Sequence, residues 1–441
     1  MPVRPNLVVL VTDQQNFRMM GCAGNPHVRT PSLDALAASG TRFTRVYSTN
    51  PVCSPSRFSL MTGLYPSAIG MWDNESGHLP PIPDSVLDSG LGWCLRKAGY
   101  RTLFGGKEHF PKRVRAERLG FEYVESDERE LLASASAELL RGLSGSPQPF
   151  CYVANFINPH DICYMAIRDF AETDSDRRLL RNGVTELQNL DEALAQPDGV
   201  SEDEFFAEIC PPLPDNHQPQ IDEPTAIGAL LDRRIFRRRA RERYTERDWR
   251  LHRWAYARLT ERVDAQLGVV LDAIAETGLD RSTVVVFTSD HGELDAAHKM
   301  EHKDCLYEEA SHVPMIVRLP GQTSPGTADP IVGNGLDLLP TLCDFAGAEV
   351  PEGLEGRSIR PILEGERPEW REYLRVESEV GEMLVGRRYK YLRYTLGADE
   401  EQLLDLETDP GETRDHRLDP DAEAAFRDLR RRFETRREPG R

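Results

Sequence analysis

Cys53-Ser54-Pro55-Ser56-Arg57, followed by Leu60 and Thr62-Gly63, brings a thiol, a proline-stiffened turn and a fixed cation into one short stretch. Read alone, Cys53 is a small apolar residue for a core, the usual state of a free thiol. Arg57, four residues on, shares a helix face with it and carries a permanent charge to that face. Two other polar pairs close apolar runs: Asp13-Gln14 follows Leu7–Val11, and Asp290-His291 follows Ser282–Thr288. Either pair alone reads as a helix cap as readily as a ligand pair. Two pairs at the tips of two strands of one sheet can converge on one ion. Oxygen-rich donors favour a hard cation such as Ca²⁺ or Mg²⁺, and an imidazole among them also admits Mn²⁺ or Zn²⁺. Lys107-Glu108-His109 comes after Gly105-Gly106, Asn158-Pro159-His160 after a second apolar run, and Lys303 thirteen residues after Asp290. Asn74, in Trp72-Asp73-Asn74, reads either as an anion contact or as a cap. His298 and His302, which flank Lys303, carry no assigned role.

The stretch from Cys53 to Gly63 meets the pattern C-x-P-S-R-x-x-L-x-T-G at each fixed position. It resembles the signature of the type I sulfatases, in the alkaline phosphatase superfamily. The resemblance runs on through Asn25-Pro26, Thr30–Asp34, Gly353–Ser358 and Leu404–Pro410, and is weakest over 165–245. It implies that a maturation enzyme oxidises Cys53 to formylglycine, whose hydrate has two hydroxyls. One attacks sulfur and displaces the alcohol; the other expels sulfate as the aldehyde re-forms, so one hard step becomes two. It further implies that Asp13, Gln14, Asp290 and His291 hold a divalent cation, with residue 53 as fifth ligand. Arg57 would stabilise the hydrated aldehyde, and Lys107 and His109 would stand with the nucleophile. His160 and Lys303 would bind sulfate and protonate the departing alcohol. Lys107, His160, Lys303 and Asn74 are thus the expected substrate contacts.

Many relatives of this kind have a second Asp at the position of Gln14 and Asn at that of His291. The version here looks like a branch shared by some bacterial sulfatases and the phosphonate monoester hydrolases. Metal identity stays open on that account, with Ca²⁺ placed first and Mg²⁺ or Mn²⁺ behind it. The expected activity is hydrolysis of a sulfate monoester, small-molecule or saccharide. The alternative is a phosphonate monoester or phosphodiester hydrolase of the same architecture. Lys107-x-His109 and the length of the chain favour sulfate. A binding protein that has lost catalysis would need a broken nucleophile or metal set, and neither is broken here.

These residues require a scaffold that ends several strands at one place. Leu7–Val11, Arg101–Phe104, Phe150–Phe156, Ser282–Thr288 and Val313–Arg318 read as strands, the β-branched runs as strands buried on both faces. Helical stretches between them, such as Pro31–Ala38 and the amphipathic Trp249–Thr277, predict a large, mostly parallel mixed sheet sandwiched by helices. Ligands in such sheets sit beyond the carboxyl ends of the strands. Residues 1–345 are expected to form the catalytic domain, with an insertion of loops and short helices over about 165–245. Residues 346–441 are expected to add a small antiparallel sheet and a helix: a hairpin over Glu382–Tyr394, a strand at Gln402–Leu406 and a helix over Ala422–Arg437.

The chain has 441 residues and a net charge of −19, which disfavours non-specific nucleic-acid binding. No apolar run approaches the roughly 20 residues of a membrane span, and no signal-peptide pattern is visible, so a cytoplasmic location without a membrane partner is expected. The eight cysteines show no paired spacing and read as reduced thiols. One dense basic run, Arg233 to Arg243, has two readings: a solvated helix face, or a rim that attracts an anionic substrate such as a sulfated uronic acid.

Overall fold

The protein is described by a computed structural model over residues 4–75, 77–398 and 400–436. Its main sheet has eight strands. In spatial order they are Glu122–Tyr123, Arg101–Gly106, Phe150–Pro159, Asn6–Asp13, Thr283–Ser289, Met315–Arg318, Thr41–Phe43 and Gly326–Ala328. The first five run parallel. Met315–Arg318 runs against both of its neighbours. The sheet is therefore mostly parallel and mixed, as the strand pattern predicts.

The continuous apolar runs are explained by helices on both faces. Leu7, Val9 and Val11 pack on one side with Val284 and Val286, against Leu91, Leu95, Leu338 and Leu342 from helices. Val8 and Leu10 pack on the other with Val285 and Phe287, against Leu33, Val263, Leu267 and Val270. Successive side chains of a strand point to opposite faces, so a strand covered on both must be apolar at each position. The long helix Glu246–Glu276 supplies much of the second layer. It begins with a reciprocal cap: the Asp248 N–H donates to Thr245 Oγ1, and the Thr245 N–H donates to the Asp248 carboxylate at 2.8 Å.

Residues 165–245 are mostly helical, with helices Tyr164–Phe170, Asp174–Asn182, Val184–Leu194, Thr225–Arg233 and Ile235–Arg243 joined by loops. The C-terminal part forms a four-stranded antiparallel sheet, Leu374–Ser378, Gly381–Val385, Tyr389–Tyr394 and Glu401–Asp405, followed by the helix Glu423–Arg436. Leu374–Ser378 is a strand that the sequence pattern does not announce. It is an edge strand of five residues with mixed polarity, so its pairing partner decides its state. Arg437, the expected end of the last helix, lies outside the described residues.

This small sheet is tied to the larger body by buried charge. Lys390 is fully buried, and its Nζ donates to Glu412 Oε1 at 2.6 Å, Glu308 Oε1 at 3.1 Å and the Leu306 carbonyl at 2.8 Å. Glu308 also accepts from the Tyr47 hydroxyl at 3.1 Å. Breaking a buried ion pair from one side costs about 3–5 kcal/mol, because the remaining charge has no solvent. Lys390→Met should therefore lower the thermal unfolding midpoint clearly. Lys390→Met with Glu412→Gln should recover part of the loss, as calorimetry of the three proteins would reveal.

Candidate active site

The register of the sheet decides which loops meet. Thr12 lies opposite Ser289 and Val11 opposite Asn155, while Gly106 pairs with Asn155. The carboxyl ends of four adjacent strands thus lie side by side and deliver Asp13, Asp290, Lys107 and the segment before His160 to one place. Gly106 is required there: its φ is +81°, and a Cβ would collide with the Asn155 carbonyl.

The signature helix runs Cys53–Thr62 and is buried along its length. Cys53 is its first residue, which points the thiol and the free N–H groups of the first turn at the strand ends. Val52 cannot cap it, so Asn74 Oδ1 accepts from the Ser54 N–H at 3.0 Å. Pro55 falls in the first turn, where its missing N–H is not needed. Ser56 Oγ donates to the Asp290 carbonyl at 2.5 Å, and Ser48 Oγ donates to the same oxygen at 2.7 Å. Gly63 ends the helix with φ +71° in the left-handed region. Pro55, Ser56 and Gly63 thus each have a structural duty in the signature helix.

Arg57 is 1% exposed and joins the site together. Its Nη2 donates to Asp13 Oδ2 at 2.9 Å, and Nη1 donates to Asn155 Oδ1 and to the Lys107 carbonyl, both at 3.0 Å. Its Nε lies 2.9 Å from Asp290 Oδ2, an ion pair without hydrogen-bond geometry. Lys107 Nζ donates to Asp13 Oδ2 at 2.6 Å. Two buried carboxylates are in this way matched by two cations. Burial opposes the charge on Asp13, but the neighbouring cations hold its carboxyl well below the usual range. Burial and the Asp13 charge push Asp290 up to about 6.

Around the Cys53 sulfur stand His291 Nε2 at 3.1 Å, Lys303 Nζ at 3.2 Å and Asp13 Oδ1 at 3.8 Å. The His109 and His160 side chains also engage this sulfur. Burial raises the thiol's pKa, but Lys303, Lys107 and His291 outweigh it and hold the group well below the ordinary thiol value. Lys303 has the converse balance: burial disfavours its charge, and the Cys53 sulfur beside it lifts its pKa overall. His160 is pushed down to about 4 by burial and by the charges of Lys107 and Lys303. Gln14, at φ 71°, donates its N–H to Asp290 Oδ1 at 3.1 Å, while its carboxamide oxygen accepts from Lys303 and Cys163.

The expected site residues therefore assemble in one region, with Asn74 one step removed at the helix cap. Several neighbours had no signal of their own in the sequence. Asn155 is held by Arg57, and Tyr256, from the long helix, donates to the Gln14 carbonyl at 2.7 Å. Glu293 accepts from the Gln14 amide, and burial lifts its carboxyl to about 7. Glu293 stands two residues past His291, and that proximity was the one available hint.

Asp13, Cys53, Asp290 and His291 have ligand atoms within 4.8 Å of one another. Asp290 Oδ2 is buried, accepts no hydrogen bond among the described residues and lies 2.9 Å from Arg57 Nε. His291 Nδ1 lies 2.9 Å from the Gly292 carbonyl, which leaves Nε2 as the lone-pair nitrogen facing the cluster. The donors fit a divalent cation. An opening of about 270 Å³ reaches this region past Val52, Asn74 and Lys303. A larger cavity of about 630 Å³ is lined by none of Asp13, Cys53, Asp290 or Lys303.

Residues 5–348 match the sulfatase family, and residues 296–439 match the C-terminal part of N-sulphoglucosamine sulphohydrolase. The chain belongs to the type I sulfatases of the alkaline phosphatase superfamily. It is a sulfuric ester hydrolase. It is 29% identical to a Δ4,5-hexuronate-2-O-sulfatase of Bacteroides thetaiotaomicron, over 95% of this chain and 85% of that one. A solved 2-O GAG sulfatase is 28% identical with a TM-score of 0.79, covering 98% of this chain and 91% of the other. A phosphonate monoester hydrolase of Agrobacterium radiobacter has the same fold, at 20% identity, TM-score 0.73 and coverage of 98% and 95%.

Removing Asp290 takes one carboxylate from the cluster of Asp13, Cys53, Asp290 and His291. Isothermal titration of metal-stripped protein with Ca²⁺ should give one site in the wild type and none in Asp290→Ala. Equal binding in both would remove Asp290 from the ligand set.

Proposed function

We propose that this chain removes sulfate from a saccharide sulfate ester, with Cys53 converted to formylglycine and a calcium ion held by Asp13, Gln14, Asp290, His291 and residue 53. The observation that carries this reading is the seating of the Cys53 side chain, within 3.1–3.2 Å of His291 and Lys303 and beside two buried carboxylates. The saccharide part is supported by the names of the hexuronate-2-O-sulfatase and the 2-O GAG sulfatase. A bound divalent cation would supply Lewis-acid stabilisation of negative charge on the oxygen at residue 53.

The chain's own groups supply the rest. Lys107 and Arg57 hold Asp13 ionised, and so keep a hard anionic donor in place. His291 is locked in one tautomer by the Gly292 carbonyl. Lys107, His109, His160 and Lys303 ring residue 53 and provide the cationic and proton-bearing surface that a sulfuryl group needs. Lys303 lines the opening, on the side where the alcohol would leave. Burial and the positive charges of Lys107 and Lys303 hold down the proton affinity of His160. An incoming sulfate anion cancels those charges and raises its proton affinity, which suits it to protonating the alcohol. Cys53 is 1% exposed, so a maturation enzyme would reach it only before the chain closes around it.

Two measurements test this reading. Peptide mass spectrometry of active protein, made beside a maturation enzyme, should find the aldehyde or its hydrate at residue 53. Full activity with an intact thiol there would overturn the mechanism. For the acid, kcat/KM of His160→Ala should fall far more for sugar and alkyl sulfates than for an aryl sulfate with a good leaving group. General-acid help of this kind is worth about 10²–10⁴-fold when the leaving group is poor. A uniform loss across leaving groups transfers the role to Lys303.

A further inference from the structure

Six arginines of the basic run Arg233–Arg243 divide into two groups. Arg238 is paired with Asp232, Arg239 with Glu172 and Glu242, and Arg241 with both oxygens of Glu223 at 2.7 and 2.9 Å. These arginines are satisfied within the helical insertion. Arg233, Arg234 and Arg237 instead line the opening of about 270 Å³ that also contains Asn74 and Lys303. They reach it because one helix ends at Arg233, Arg234 takes an extended conformation, and the next helix begins at Ile235.

The three are not equally neutralised. Arg233 is paired with Glu379. Arg237 is 8% exposed; its Nη1 lies 2.5 Å from Asp304 Oδ2, but its Nε is buried without a partner. Among the described residues Arg234 has one ion-pair partner, Glu75, at 3.7 Å, with the two side chains 43% and 77% exposed. A surface pair this open and this long contributes almost nothing, so its guanidinium is available to a better anion. Asp73, Glu75, Asp304 and Glu379 also line the opening, so its cations face carboxylates and the opening is not a general positive field.

We propose that Arg234 and Arg237 form a subsite for a second anionic group carried by the sulfated sugar, a carboxylate or a further sulfate, beside the ester being cleaved. The inference rests on the saccharide reading above and narrows it to dianionic sugars. Guanidinium forks bind carboxylate and sulfate oxygens through paired, charge-assisted hydrogen bonds. The volume is near the lower end of small-molecule pockets, roughly 300 Å³, enough to seat one ring rather than a long chain. The insertion thereby supplies selectivity to a catalytic centre built by other elements.

The test separates binding from turnover. Cys53→Ala protein is titrated calorimetrically with a hexuronate 2-sulfate, glucosamine N,6-disulfate and N-acetylglucosamine 6-sulfate, with and without Arg234→Ala. The dianionic sugars should bind more tightly than the monosulfated one, and Arg234→Ala should weaken them by about tenfold more, the scale of a lost charged hydrogen bond. Arg234→Lys should retain part of the difference. The sugar that loses more identifies the second anion as carboxylate or sulfate. An equal loss for all three sugars, or no preference in the unsubstituted background, overturns the subsite. Turnover of the same sugars by matured enzyme bears on the saccharide reading alone. If none is hydrolysed while an aryl sulfate is, that reading fails, and the binding comparison still decides the pocket.

Discussion

One buried guanidinium organises this molecule. Arg57 reaches from the signature helix to Asp13 on one strand end, Asp290 on the next, and Asn155 on a third. Both carboxylates are buried and lie 2.9 Å from its nitrogens, with Lys107 as a second cation at Asp13, and an uncompensated buried charge would cost several kcal/mol. Arg57 also fixes the helix against the sheet, and so fixes Cys53, the first residue of that helix. The placement of Cys53 and the charge balance of Asp13 and Asp290 therefore share one cause. Lysine could not replace it, because one ammonium cannot serve these partners in a planar fork.

The C-terminal sheet takes part in the site at a distance. Lys303 lies at the start of the segment 303–308, and that segment is clamped from the far side. Ser378 donates to the Asp304 carbonyl, and Lys390 holds the Leu306 carbonyl and Glu308. A lysine held 3.2 Å from the sulfur thus depends on strands that touch no reacting group. Preorganised charge of this kind acts without reorganising when the substrate arrives. The insertion over 165–245 brings a third contribution, with Arg233, Arg234 and Arg237 at the mouth.

Much of this is legible in one dimension. Continuous apolar strands announce a sheet covered on both faces, and polar pairs at their ends announce where a ligand would sit. The C-x-P-S-R-x-x-L-x-T-G run is legible because its residues act within one short helix: cap, turn and termination are all local. Leu374–Ser378 was not legible, because an edge strand of five residues is chosen by its partner rather than by its own propensity. Glu293, Asn155 and Tyr256 were equally silent, each being an ordinary polar residue until the fold supplies a neighbour.

The sequence by itself determined the fold class, the family signature at Cys53–Gly63 and the residue types gathered at the strand ends. Those properties follow from periodicity and short-range spacing, which survive in a linear string. Tertiary structure decided the rest. Asp13 and Asp290 become neighbours because the sheet order sets their strands side by side across 277 positions of sequence. The basic run reads as one uniform patch on paper. Only the break between two helices at Arg234 sends some of its charges to acids within the insertion and others to the opening beside Lys303. Electrostatic pairing depends on distance in space, and a contact between chain-distant side chains has no local signature.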